Sequence, residues 1–194
     1  MNKKLTIFQD VRELNQWKAI AFGCSLIERM LPNYRLFCSA TDFADSSVME
    51  NLLQILWNWV LDPKMKINFD VQLENLEEVT PDTHLFDHYG VYPALDCAMS
   101  MAAMFNLLKK EDEQGAVVVS KLSQGSVESF IHFTSEEEPD KEEVKAHPLM
   151  QWEIATQKEL LDLLRTANRS KETVSQLKTL VRQEGISNIG IEFD

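Results

Sequence analysis

Two groups of residues in this 194-residue chain have types and spacings that permit chemistry. His84, Asp87 and His88 share one short segment. Two imidazoles at i and i+4 with a carboxylate between them are donors that zinc or a similar divalent ion accepts. On a helical turn both rings would face one ion, with Asp82 as a further carboxylate to complete its shell. Such a site also needs more ligands and second partners that orient them, and no other His or Cys pair is placed to supply either. The segment therefore reads as loop histidines in ordinary hydrogen bonds, with no metal or cofactor expected; His84, Asp87 and His88 remain the metal alternative.

The second group is Glu28, Arg29, Asn33 and Tyr34 around Pro32, together with Tyr92 and Asp96. Asp96 lies in an otherwise apolar helical turn, where a carboxylate is costly to bury unless it is paired or hydrogen-bonded. Arg29 is the expected partner. The preferred reading is a structural ion pair that fixes helix register. The alternative is a polar pocket walled by Tyr34, Tyr89 and Tyr92, serving a small-molecule-binding protein or a hydrolase, with the His84 to His88 segment nearby.

No other catalytic signature is present. The chain lacks a G-x-S-x-G elbow, a G-x-G-x-x-G turn and a P-loop, and His132 and His147 have no acid partner placed in sequence. Cys24, Cys38 and Cys97 sit among apolar neighbours without metal-type spacing, so free thiols in a reducing, cytoplasmic setting are expected. Lys3 and Lys4 lead into an apolar run that Gln9 and Asp10 end too early for a signal peptide. No stretch reads as a membrane span. The formal net charge is −12, which disfavours direct contact with nucleic-acid phosphates. The acids are concentrated: residues 62–113 hold 11 of them against 4 cations, and residues 134–146 hold 6 against 2. That asymmetry points to a basic protein partner.

The elements that must position these residues are helices. Val11, Leu14, Trp17, Ala21, Cys24 and Ile27 recur at spacings of three and four, predicting a helix over 9–30 that Leu31 and Pro32 close. A short helix over 33–40 follows, then one capped by Asp45 or Ser46 and running to residue 61. The latter is apolar over most of its circumference and is expected to be central. Trp57 and Trp59 point to different sides of it, so one is either an interface anchor or a half-buried rim residue. Asn68 caps a helix to residue 78, residues 80–90 connect, and Pro93 opens an apolar, Met-containing helix ending at Lys109 and Lys110.

Residues 116–133 admit a hairpin because of their valine run and the Gln124-Gly125 pair. Helical spacing of Ala116, Val119, Ser120, Ser123, Val127, Phe130 and Ile131 decides for a helix with small residues against a neighbour. An acidic linker near 134–146, a helix from Pro148 to residue 167 with Trp152, Ala155, Leu160, Leu163 and Leu164 inward, and a Ser170-capped helix ended by Gly185 complete the chain. The expected fold is all-α: a single compact domain, 1–194, of about eight helices.

The strings IERMLPNYRLF (27–37), LLQILWNWV (52–60), FDHYGVYPALDCAM (86–99) and EGISNIGIEF (184–193) together resemble the YjaG-like family of uncharacterised bacterial proteins, over almost the whole chain. The resemblance implies a small, soluble, cytoplasmic, predominantly helical protein and supports the helix at 116–133. It implies no activity and carries over no catalytic residue. The expected function is a non-catalytic interaction or regulatory protein with an acidic surface.

Overall fold

The computed structural model describes residues 6–193; Lys3, Lys4 and Leu5 lie outside them. Nine helices are found among the described residues, in the order α1 (Ile7–Arg12), α2 (Gln16–Thr41), α3 (Ser47–Leu61), α4 (Phe69–Glu78), α5 (Val91–Leu108), α6 (Gly115–Thr134), α7 (Lys141–Ala146), α8 (Pro148–Thr166) and α9 (Lys171–Arg182). Beyond α9 a single antiparallel bridge joins Ile186 to Glu192. The all-α expectation holds.

The central element is α2, not α3. Every residue of α2 from Ala19 to Tyr34 is buried, and α5, α6, α3, α9 and α8 surround it. α3 buries one face, through Met49, Leu52, Leu53, Leu56, Trp57 and Val60. Apolar circumference alone pointed to α3 because α2 carries Ser25, Glu28, Arg29 and Asn33 among its apolar residues, and all four are buried too.

Two further differences concern boundaries. The expected helix at 9–30 begins as a separate turn, α1, held by a capping box between Thr6 and Gln9, and Asn15 then caps α2. At its far end α2 runs through Pro32 instead of stopping there. A proline inside a helix removes one backbone hydrogen bond and costs about 3 kcal/mol. Burial of Met30, Tyr34 and Phe37 across the proline offsets that cost, at about 1.5–3 kcal/mol for each large apolar side chain.

α5 packs on α2 and α6. Gly23 of α2 lies directly against the Met104 side chain of α5, and a Cβ at Gly115 would sit 2.5 Å from the Ala103 carbonyl oxygen, so close approach of the backbones requires glycine at 115. Contrary to the expectation that no stretch reads as a membrane span, α5 has the length and mean hydropathy, 1.3, of one; 67% of it is buried among the other helices, as in a core helix. α6 is one continuous helix through Gly125, with Ala116, Ser120, Ser123 and Ser126 buried as the small-residue face. The acidic linker is shorter than expected, because Asp140 and Glu143 form a capping box that starts α7 at Lys141. α9 buries Val174, Leu177 and Val181 at helical spacing, and Gly185 follows it with φ +69°, the left-handed conformation glycine adopts freely.

The apolar interior has two parts. The main core lies around α2, α3 and α5; a smaller one gathers Val127, Ile131, Val144, Met150 and Ile189. α6 and α8 run antiparallel between them. Along α6 the sequence Val119, Ser120, Ser123, Val127 passes from main core through polar residues to the small core, and along α8 the sequence Leu160, Gln157, Glu153, Met150 does the same.

Candidate functional site

The polar residues between the two cores form one hydrogen-bonded layer. Arg29 of α2 pairs with Glu153 of α8, both fully buried, and the guanidinium lies 4.0 Å from the centre of the Trp152 ring. Glu153 also accepts from the Ser123 hydroxyl at 2.5 Å and from the Gln157 amide at 2.7 Å. The Gln157 carbonyl oxygen accepts from Ser120 at 2.6 Å and from Gln124 at 3.2 Å. One turn along α2 from Arg29, the Asn33 amide donates to Asn188 at 2.9 Å, and Asn188 donates to the Ser123 carbonyl at 3.2 Å. The C-terminal loop, with Ser187 and Asn188 buried, is thereby tied to α2 and α6. Arg29 Nη2 and Asn33 Oδ1 are buried without a partner among the described residues.

Glu28 faces another way. It accepts from the Trp57 indole at 2.9 Å and pairs with Arg182, joining α2, α3 and α9. Burial and the Glu28 carboxylate together hold the Cys24 thiol well above its ordinary range, so it is not a ready nucleophile. Glu28 and Glu153 thus each have a cation and further donors from within the chain, an arrangement that serves to hold helices together.

The expected cluster is therefore divided. Glu28, Arg29 and Asn33 belong to the interior, and the buried Tyr34 donates to the Val79 carbonyl at 2.6 Å instead of lining a pocket. Asp96 does not meet Arg29, which Glu153 occupies. It is half-buried on α5 with no cation to pair with among the described residues, and burial raises its carboxyl to about 6. The Ser126 hydroxyl beside it offsets this slightly but reaches no full hydrogen-bond geometry. Glu153 and Gln157 went unnoticed in sequence because the face of α8 was read from apolar residues; Ala155, expected inward, is exposed. Their i, i+4 spacing opposite Ser120 and Ser123 was the available signal.

His84, Asp87 and His88 are all exposed, and their segment is turn and loop, so the i and i+4 alignment of the imidazoles does not arise. His88 Nδ1 instead accepts from the Gly90 backbone N–H at 3.0 Å. Among the described residues no three His, Cys, Asp or Glu side chains gather as a metal site. Trp59 is half-buried beneath Arg169, whose guanidinium lies 5.1 Å from its ring. A cleft of about 480 Å³ lies elsewhere, between Val11, Arg12, Leu107, Lys110 and Gln114, and touches none of the expected site residues.

What the surface offers instead is an aromatic face at the start of α5. Tyr89 stacks on Phe133 with ring centres 3.9 Å apart and planes 12° from parallel, and lies 6.1 Å from Tyr92 and 6.2 Å from Phe130. Tyr92 and Phe133 are 51% and 60% exposed. Met99, 46% exposed, follows Tyr92 and Asp96 on the same face of α5. The acids of α4 form a second exposed feature: Asp70, Glu74, Glu77 and Glu78 join none of the ion pairs found among the described residues.

Known proteins place the chain by kinship. It is 36% identical to the uncharacterized protein YjaG of Escherichia coli over 185 residues, 94% of each chain. An uncharacterized protein of Haemophilus influenzae is 33% identical over 96% of this chain and 97% of its own. The crystal structure of a DUF416 family protein from Shewanella baltica superposes with a TM-score of 0.90 at 34% identity, covering 98% of this chain and all of that one. The family model described as a protein of unknown function, DUF416, matches residues 6–192, and the chain belongs to that family, alongside YjaG.

Proposed function

We propose that this chain is a non-catalytic interaction protein that presents an acidic surface to a basic protein partner. The observation that carries this reading is the contrast in charge pairing. The buried Glu28 and Glu153 are neutralised within the chain, whereas the carboxylates of α4 and the exposed Glu136, Glu137 and Glu138 have no cation of their own among the described residues. Unpaired surface charge of one sign speeds and orients association with a complementary partner. The competing reading, a small-molecule or hydrolytic site at Glu28, Arg29, Asp96, His84 and His88, has less support because these residues do not converge. The three buried free thiols suit a reducing, cytoplasmic setting.

Affinity capture of the native protein from bacterial extract tests the proposal. The expected result is one or more basic proteins retained at low salt and released as ionic strength rises, since exposed charges are screened beyond about 10 Å at 0.1 M salt. Neutralising Asp70, Glu74, Glu77 and Glu136 to Glu138 as the amides should reduce that retention. Partners held through high salt, or unaffected by neutralisation, would contradict it.

A further inference from the structure

We propose that the face formed by Tyr89, Tyr92, Asp96, Met99 and Phe133 is a docking surface for an arginine-bearing basic segment of a protein partner. The inference rests on the acidic-interaction reading and assigns it a place. Three observations converge there. Large aromatic side chains are exposed side by side at one spot, as in interface anchors. Asp96 sits between Tyr92 and Met99 along α5, half-buried and without a cation among the described residues. Neither chain segment that builds the face supplies one, since residues 86–108 and 122–140 contain no Lys or Arg, while the exposed Asp87, Glu128 and Glu136 to Glu138 lie on those same segments.

A guanidinium satisfies all three features together. Its plane stacks on an aromatic face, its N–H groups fork onto a carboxylate, and its weak hydration lets it enter a partly dry site more cheaply than an ammonium. A second copy of this chain is a poor occupant, because a self-complementary contact would set Asp96 and its acidic surround against themselves. Nucleic acid is repelled by the same charges.

Backbone amide resonances of the full chain, followed at pH 7.5 during titration with an alternating arginine-glycine peptide and with its lysine-glycine counterpart, test the assignment. The expected result is shift changes centred on residues 86–99 and 126–134, stronger for the arginine peptide. Phe133→Ser and Asp96→Asn should each weaken binding about tenfold or more. Asp70→Asn, Glu74→Gln and Glu77→Gln combined, on α4, should change it less than about threefold. Shift changes centred on α4, abolished by that triple variant and indifferent to Phe133, would overturn this surface while leaving the acidic-interaction reading in place. No response to either peptide, or self-association abolished by Phe133→Ser, would also overturn it, and the salt-dependent capture would then judge the broader reading alone.

Discussion

The carboxylates of Glu153 and Asp96 lie on neighbouring parts of one molecule and are treated in opposite ways. Glu153 has a guanidinium, a hydroxyl and an amide directed at it and is fully buried. Asp96 is half-buried, has no cation among the described residues, and has its carboxyl raised by desolvation. The first arrangement spends its polar capacity on joining α2, α6 and α8. The second leaves capacity unspent at the surface. A buried charge completed within the chain speaks for architecture, whereas one left incomplete beside exposed aromatic rings speaks for something that arrives from outside.

The largest expected effect lies on the Glu153 side. Glu153→Leu strands the Arg29 charge and orphans the donors of Ser123 and Gln157, so urea unfolding should show a loss of about 3–5 kcal/mol. A loss within the replicate scatter would mean that the layer does not hold the helices together.

Asp96→Asn should act in the other direction and less strongly. With a folded-state carboxyl near 6, above its ordinary value, the group favours the native state most at acid pH and loses that contribution as pH rises from about 4 through 6. The amide carries no such penalty, so at pH 7 the variant should be more stable by about 1–3 kcal/mol, with the gain vanishing toward pH 4. Tyr89, which shares the site, titrates only far above this window, its hydroxyl raised by burial and by Asp96. A pH-independent difference would mean that Asp96 is paired in solution.

The smallest effect sharpens the contrast most. Phe133→Ser at a 60% exposed position should cost about 1 kcal/mol or less, the worth of its stack on Tyr89. A loss of several kcal/mol would make the aromatic face a structural element like the buried layer.

Much of this was legible in the sequence, and the failures share a cause. Helical periodicity located most elements, and the small residues of α6 marked its close packing correctly even through Gly125. Local punctuation misled at Pro32, where tertiary burial on both sides outweighs the lost hydrogen bond. The pairing of Asp96 with Arg29 failed for a related reason. Arg29 and Glu153 are 124 residues apart, and an apolar-only reading of α8 cannot show that a glutamate occupies its inner face. Placing Tyr34 and Tyr92 on one wall failed because α2 turns Tyr34 toward the Val79 carbonyl while Tyr92 faces solvent. Charge distribution along the chain foresaw outward-facing acids on α4, but nothing local to residues 86–99 and 126–134 foretold that they meet.

The most direct measurement compares two folded variants in one binding assay: Asn188→Ala, which removes the acceptor of the Asn33 amide in the interior, and Asp96→Asn on the aromatic face. Each is titrated by calorimetry with the arginine-glycine peptide after circular dichroism has shown native helicity. The prediction is that Asn188→Ala, though less stable by about 1–3 kcal/mol, binds like the unaltered protein, while Asp96→Asn, though more stable, binds about tenfold more weakly. Binding lost in Asn188→Ala and retained in Asp96→Asn would contradict the division between an interior that builds the fold and a surface that receives a partner.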